Sequence, residues 1–331
     1  MRWAGRAGAA LAAAVAWAAV AAQPAAGAQS DAQRYPTRPV RIIVPFPPGA
    51  GTDIVGRAVA QSLTEAWSHS LVVDNRPGAG GTIAGEIVSK STPDGYTLML
   101  GNVSTLAIAR GLYPKLAYDP LRDFAPITLI TTSENVIVLH PSVKPNSVKE
   151  LIAHAKANPG KLNYGSSGSG TTSHLGGAMF ASMAGVEMTH VPYKGSAPML
   201  TDLLSGQLQL AFSSVPTALP HIKSGRLKPL AVTRLARSAT LPDLPTVHET
   251  LPGFDISLWQ GIVAPAGTPR AIVMKLNQQI AKSLHTPGLK SKLAAQGLDA
   301  VGNSPEQFAA YMKSEADKWA KIIKASGARA D

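Results

Sequence analysis

The sequence contains no cysteine among its 331 residues, which excludes disulfide bonds and a lipid-modified cysteine anchor. Aromatic residues make up only 5% of the chain, and lysine and arginine are scattered, so the pattern of a nucleic-acid-binding surface does not emerge. The eight histidines are dispersed, and the sequence has neither an H-E-x-x-H motif nor an Asp/Glu cluster with ligand spacing. We therefore expect no nucleic acid partner, no metal and no cofactor, and a fold stabilised by packing.

The longest apolar run in the sequence lies near its N-terminus, over residues 9–22. Arg2 and Arg6 precede this run, and a small-residue A-G-A site ending at Ala28 follows it, which is the pattern of a cleaved signal peptide. A membrane anchor is the alternative, but the run is shorter than the roughly 20 residues that a span needs. We predict a signal peptide over residues 1–28 and export to the periplasm.

Basic residues outnumber acidic residues, 31 against 20, and the formal net charge is +11. Arg2 and Arg6 leave with the predicted signal peptide and no acidic residue precedes Asp31, so the mature chain carries 11 − 2 = +9. A positive surface attracts anions. Because the charge is spread along the chain, we expect small anionic partners rather than a polyanion.

Segments rich in β-branched and aliphatic residues alternate with helical segments, which is typical of a mostly parallel sheet with helices on both faces. The predicted strands lie at residues 40–45, 71–74, 96–100, 127–130, 136–140, 162–164, 188–191, 208–212, 230–233 and 259–265. Predicted helices begin near residues 53, 147, 172, 197, 217, 268 and 304, with Asp53 as the N-cap of the first. The charged residues of the last helix, Glu315 among them, predict a solvated face.

One short string occurs in each half of the chain, as GAGT at residues 49–52 and as GSGT at residues 168–171. Each copy follows a predicted strand and precedes a predicted helix, so each should present backbone N–H groups and a helix N-terminus to an anion. Neither is a nucleotide loop, because Ile54 stands where the dinucleotide fingerprint needs glycine and no lysine follows the glycines. A simple tight turn is the alternative for each copy.

The second copy lies in a run of hydroxyl-bearing residues, which raises the alternative of a hydrolase with Ser167 or Ser169 as nucleophile and His174 as base. The G-x-S-x-G pattern of a nucleophile elbow is not met here, and a histidine two positions inside a helix is typically packed or capping. We therefore expect binding without catalytic residues. Loops at further strand ends, around Asn102 and around Ser213, are expected to add ligand contacts.

Six segments, in order, resemble the Bug family, the TctC-like periplasmic solute-binding receptors of tripartite tricarboxylate transporters. They are YPTRPVRIIVPFPPGAGTD (35–53), VVDNRPGAGGTIAGE (72–86), PDGYTLMLG (93–101), HVPYKGSAP (190–198), LPDLPTVHE (241–249) and WQGIVAPAGTP (259–269). The resemblance covers essentially the whole mature chain. It implies a two-lobed receptor of the type II, Venus flytrap architecture, in which each lobe is a central sheet with helices on both faces.

The same resemblance implies a monomer that holds a small organic carboxylate between its lobes, partly through ordered water, and delivers it to a membrane permease. The first lobe is expected at residues 35–137 plus 262–331, and the second at residues 138–261. The ligand contacts are expected at Phe46, Pro48, Gly49, Ala50, Gly51, Thr52, Asn102, Ser104, Ser166, Ser167, Gly168, Ser169, Gly170, Thr171, Thr172 and Ser213.

Two points qualify this expectation. Many members of the family carry an acidic residue near the end of the strand at Phe212, where this chain has Ser213 and Ser214. The departure argues against an amino acid or another ligand with a cationic group. The alternative output is signalling, in which the ligand-bound receptor contacts a membrane sensor kinase instead of a permease.

Overall fold

The computed structural model describes residues 33–326, and the signal peptide predicted over residues 1–28 lies outside this range. Within it, strands β1 to β10 cover Val40–Val44, Leu71–Asn75, Thr97–Asn102, Phe124–Leu139, Asn163–Ser166, Thr189–Pro192, Leu210–Ser214, Lys228–Val232, Ser257–Pro265 and Asp299–Ala300. Helices α1 to α10 cover Gly51–Trp67, Thr82–Ser89, Ala109–Leu112, Val148–Ala157, Thr172–Ala184, Ser196–Leu204, Val215–Lys223, Arg270–Leu284, Pro287–Ala294 and Pro305–Ser326. A π-helical turn, Ser104–Ile108, runs directly into α3. None of the helices in the described range combines the length and the apolar character needed to cross a bilayer.

The strands form one continuous path in the order β2-β1-β3-β9-β4-β7-β5-β6, and β8 and β10 also pair with β4. β1 pairs in parallel with β2 and β3, and β5 pairs in parallel with β6 and β7. The antiparallel strands β9 and β4 lie between these two parallel groups. We call the part built around β1 to β3 the first lobe and the part built around β5 to β7 the second lobe. The predicted α/β class is confirmed.

Strand β4 is one strand of 16 residues, so the prediction of two separate strands at residues 127–130 and 136–140 was wrong. Its residues up to 134 pair with β9, and its residues from 135 onward pair with β7. The polar residues at 131, 133 and 135 share one face because side chains alternate along a strand. The polar run therefore belongs to the strand, and β4 is shared by both lobes.

Helix starts follow the predicted capping residues at two places and differ at a third. The hydroxyl of Ser147 accepts a hydrogen bond from the Glu150 N–H at the start of α4 (3.2 Å). Ser304 and Gln307 exchange both bonds of a capping box before α10. Helix α1 instead begins at Gly51 after Ala50, without a side-chain cap, so the prediction of Asp53 as its N-cap was wrong.

Apolar layers cover both faces of the sheet. One layer packs α1 and α8 against β1 and β3, with Ile42 and Leu276 fully buried. The other layer runs across both lobes and contains the fully buried Trp259, Trp319 and Phe212. Burial of such large side chains contributes about 1.5–3 kcal/mol each or more, which is consistent with a chain stabilised by packing.

Helix α10 crosses this second layer, and its Glu315 is buried at 6% exposure, so the prediction of a solvated position was wrong. The carboxylate accepts hydrogen bonds from the indole N–H groups of Trp259 (2.8 Å) and Trp319 (3.2 Å). A buried acid needs such partners, because a carboxylate without them is strongly destabilised in an apolar layer. Glu315 therefore ties the C-terminal helix to strand β9.

Candidate functional site

A cavity lies where the carboxyl ends of strands from both lobes meet. The loops after β1, β3, β5, β6 and β7 reach it, so the N-terminal ends of α1, α5, α6, α7 and the π-helical turn border it. The space that the centre of a water molecule can occupy there is about 60 Å³. One bound water needs about 10–15 Å³ of such space, so the cavity suits a small ligand.

Among residues 33–326, no charged side chain lines this cavity, in which hydroxyl and amide groups stand beside a few apolar ones. Its electrostatic character therefore comes from the surrounding helix ends. Each helix N-terminus stabilises an anion by about 0.3–1 kcal/mol, and by up to about 2 kcal/mol when partly buried. The arrangement favours an anion without offering it a salt bridge.

The structure brings ten of the sixteen predicted contact residues to the cavity surface. They are Phe46, Ala50, Gly51, Thr52, Asn102, Ser104, Ser167, Thr171, Thr172 and Ser213. The other six lie in the same loops but do not line the cavity; they are Pro48, Gly49, Ser166, Gly168, Ser169 and Gly170.

The loop after β1, residues 45–50, is called the first loop, and the start of α1 that follows it faces the cavity. Gly51 and Thr52 line the cavity and are the first two helical residues, whose N–H groups have no partner within a helix. The hydroxyl of Thr52 makes no hydrogen bond within residues 33–326 and is part of the lining. This loop therefore offers N–H and O–H donors to a ligand.

Asp53 holds the first loop in place from behind. Its carboxylate accepts hydrogen bonds from the Gly49 N–H (2.9 Å), the Arg57 guanidinium (3.0 Å) and the Asn75 amide (2.9 Å). The same Asn75 amide also donates to the Phe46 carbonyl (2.8 Å). Burial alone would raise the pKa of Asp53, but these hydrogen bonds and the Arg57 charge outweigh it and lower the pKa below its usual range. The Gly49 N–H is thus committed to Asp53.

The loop after β5, residues 167–171, is called the second loop. Most of its backbone N–H groups bond to side chains of the same lobe, in contrast to the prediction that they face an anion. The Gly168 N–H donates to the Ser166 hydroxyl (3.2 Å), and the Gly170 N–H donates to His174 Nδ1 (3.2 Å). The Ser167 N–H donates to the Ser173 hydroxyl (3.0 Å). What faces the cavity is a set of hydroxyls at the start of α5, from Ser167, Thr171, Thr172 and Ser173.

His174 is packed inside the second lobe, as the sequence predicts. It is 6% exposed and its ring stacks on His190, with 4.1 Å between ring centroids. His190 Nε2 in turn contacts the Ser166 hydroxyl at 2.6 Å. Ser166 is buried and His190 is half-buried, and neither belongs to the cavity lining within residues 33–326; the described ring contacts of His174 serve to support the loop.

Asn102 shapes the loop after β3, which we call the third loop, and its side-chain amide nitrogen is available to a ligand. Its side-chain oxygen accepts hydrogen bonds from the N–H groups of Ser104 (3.1 Å) and Thr105 (3.2 Å), which is an Asx turn. Its amide nitrogen makes no hydrogen bond within the described residues, and Asn102 lines the cavity. The third loop therefore adds one more donor.

Sequence reasoning missed the floor of the cavity, which strands β4 and β9 supply. Ser133, Asn135, Leu258 and Gln260 line it. The available signal was the run of five consecutive polar residues at 131–135 inside an otherwise apolar stretch. Two further hydroxyl-bearing lining residues, Ser173 and Ser196, also lay outside the prediction, whereas Ser214 belongs to the predicted loop around Ser213.

The two lobes also contact each other outside the cavity lining. The Tyr113 hydroxyl of the first lobe donates to the Ser169 carbonyl of the second (3.3 Å). A Cβ atom added at Gly195 of the second lobe would lie 3.2 Å from Pro47 Cγ of the first. Pro47 and Gly195 are the chain neighbours of the lining residues Phe46 and Ser196, so this second contact joins the lobes beside the cavity.

The chain is similar to known proteins over most of its length. The family model "Tripartite tricarboxylate transporter family receptor" matches residues 55–328. "Protein BugT" of Bordetella pertussis is 36% identical over 301 residues, which are 90% of this chain and 92% of that protein.

Two solved structures from Rhodopseudomonas palustris share the fold. "R. palustris Rpa4515 with adipate" has a TM-score of 0.87 and 38% identity, and the match covers 90% of this chain and 100% of that one. "MatC (Rpa3494)" with bound malate has a TM-score of 0.83 and 30% identity, with 87% of this chain and 100% of that one covered.

Proposed function

This chain belongs to the tripartite tricarboxylate transporter receptor family of periplasmic solute-binding proteins, and from that premise we propose that it captures a small organic carboxylate in the cavity between its lobes. It then delivers the ligand to the membrane permease of a tripartite tricarboxylate transporter. The receptor acts as a monomer in the periplasm after removal of the signal peptide near Ala28. The division into lobes at residues 35–137 plus 262–331 and 138–261 is part of this proposal.

The observation that carries the proposal is the uncharged cavity bordered by several helix N-termini. A carboxylate gains about 1.5–3 kcal/mol from each hydrogen bond that it accepts, because it is charged. Four such bonds provide roughly 6–12 kcal/mol, and the helix ends add to this before the cost of association; a micromolar affinity needs about 8 kcal/mol net. The adipate and malate named for two similar structures are carboxylates of suitable size.

Titration calorimetry of the ligand-free mature protein tests the proposal. The panel contains mono-, di- and tricarboxylates, each beside its uncharged amide, such as succinate beside succinamide. We expect saturable binding of at least one acid and none of its amide, because only the acid carries the charge that the helix ends stabilise. Absence of both binding heat and thermal stabilisation across the acids would refute the proposal.

A matched pair of variants locates the binding at this cavity. Thr52→Val removes a lining hydroxyl that makes no internal hydrogen bond, so it should weaken binding about tenfold without lowering stability. Thr201→Val removes an exposed hydroxyl on α6 whose one hydrogen bond within the described residues goes to the Ala197 carbonyl, and it should leave the affinity unchanged. Equal affinities of both variants would place the binding elsewhere.

A further inference from the structure

Three buried side-chain atoms in residues 33–326 have no hydrogen-bond partner in the protein, and all three belong to the two strands that form the cavity floor. They are Thr131 Oγ1 and Asn135 Nδ2 on β4, and Gln260 Oε1 on β9. Their residues are 1%, 1% and 7% exposed. Buried polar groups in folded proteins are nearly always paired, so a cluster of three on one surface calls for an explanation.

The strand register puts these side chains on one face. Gln260 pairs with Thr131 on one side and with Asn102 on the other, so the three polar side chains form a row across β4, β9 and β3. Asn135 lies four residues further along β4, and side chains at even spacing point to the same face. Both Asn135 and Gln260 line the cavity. Two of the three unpaired groups therefore belong to the binding cavity, and Thr131 lies beside Gln260 in the same row.

We infer that the side chains of this floor bind a hydroxyl group of the ligand, and that the preferred ligand is a carboxylate that also carries a hydroxyl. The inference rests on the proposed function. A carboxylate only accepts hydrogen bonds, so it can pair with the Asn135 amide nitrogen but not with the Gln260 oxygen. A hydroxyl also donates, so it can pair with the Gln260 oxygen while a carboxylate of the same ligand pairs with the Asn135 amide nitrogen.

The absence of charge in the lining excludes the competing ligand classes. An ammonium group could donate to Gln260, but no carboxylate lines the cavity to balance its charge. Glu134, the acid nearest in sequence on β4, has its carboxylate bound to Arg234 (3.0 Å) and does not line the cavity. A second carboxylate at the floor would likewise find no cation there.

The test compares acids that differ only by a hydroxyl: propionate with lactate, butyrate with 3-hydroxybutyrate, and succinate with malate. In each pair that binds, we expect the hydroxylated acid to bind about 10- to 100-fold more tightly, because the deoxy acid leaves buried polar groups unpaired. If no acid binds, the proposed function fails. If the acids bind and the hydroxyl makes no difference, only this inference fails.

Variants of the floor give a second, independent readout. Gln260→Met and Asn135→Leu keep side-chain size and should reduce the preference for the hydroxylated acid to within about threefold. Because neither change breaks an internal hydrogen bond, the melting temperature of the ligand-free protein should stay level or rise by about 2 °C. Thr132→Val, on the opposite face of β4, is the matched control and should keep the full preference.

The two readouts separate the possible outcomes. A preference that persists in both floor variants overturns the inference, and so does a fall in melting temperature of more than about 5 °C for both, which would show that the amides serve stability. If one variant fails to fold, the comparison of acid pairs with the unmodified protein still decides the question.

Discussion

Replacement of Asp53 by asparagine tests how the first ligand loop is held. The change removes one charge and turns one of the two carboxylate oxygens into a donor. If the remaining oxygen keeps the bond from Asn75, the new amide group faces the Gly49 N–H and the Arg57 guanidinium, which are both donors. The loop then loses two hydrogen bonds to a charged acceptor.

The expected cost follows from these contacts. A hydrogen bond to a charged group is worth about 1.5–3 kcal/mol, which gives about 3–6 kcal/mol for two. Arg57 is more than half exposed, so its contribution is screened and the lower end applies. We expect a loss of about 3 kcal/mol in the free energy of unfolding, or on the order of 5–10 °C in melting temperature. Carboxylate affinity should fall as well, because Gly51 and Thr52 directly follow the loop.

The lowered pKa of Asp53 determines in which direction the stability difference between the unmodified protein and the variant changes with pH. The pKa of Asp53 is lowered in the folded protein, so its stabilising contribution is present above the ordinary pKa near 4 and is lost as the pH falls through the folded value. The stability difference between the unmodified protein and the Asp53→Asn variant should therefore be full at pH 7 and shrink below about pH 4.

Urea unfolding at pH 7 and pH 3.5, combined with calorimetry, measures both effects. Asp94→Asn is the matched control, since Asp94 pairs with Arg38 at the surface and should contribute less than about 1 kcal/mol. An Asp53→Asn variant as stable as this control at pH 7, or one whose deficit grows at low pH, would refute the reasoning.

Three further predictions concern other contacts. Tyr113→Phe removes the hydroxyl that reaches the Ser169 carbonyl across the cleft, so calorimetry should find about 2- to 10-fold weaker carboxylate binding; an unchanged affinity would mean that the contact does not support closure. Glu315→Leu leaves two buried indole N–H groups without an acceptor, and urea unfolding should detect a loss of about 2–5 kcal/mol. Gly261→Ala makes a Cβ atom overlap the buried Phe308 ring and should cost about 1–3 kcal/mol or more, whereas Gly288→Ala meets no described atom within 4 Å and should stabilise by about 0.5–1 kcal/mol. Equal melting temperatures for the two alanine variants would contradict the packing argument.

Much of the fold could be predicted because its signals are local. Helix α5 begins at Thr172 and ends at Ala184, as the sequence predicts, since Thr171 precedes it and Gly185 follows it in the left-handed conformation. Strand β4 could not be predicted in one piece, because its polar residues look like a break until the cavity on that face is known. Whether a polar residue in a strand marks an end or a site depends on tertiary surroundings.

The site was predictable to the extent that it lies on loops after strands. The GAGT copy does present a helix start to the cavity. In the GSGT copy, the N–H groups of Gly168 and Gly170 instead donate hydrogen bonds within their own lobe. Sequence spacing identifies glycines whose backbone conformation can expose an N–H group. It does not predict which acceptor that N–H group will bond to in the folded protein. The contributions of Asn135 and Gln260 depend on which strands cross between the lobes, which spacing does not encode.

The sharing of β4 between the lobes has a consequence for the kinetics of capture. A rotation of one lobe against the other would bend β4 near Asn135, where its pairing changes from β9 to β7, so atoms of the floor would move less than atoms at the outer edge of the cleft, its rim. A ligand would reach its floor contacts before the Tyr113 contact forms at the rim. Chemical selection would then act on the encounter complex, and closure would govern mainly the residence time of a ligand that has already been accepted.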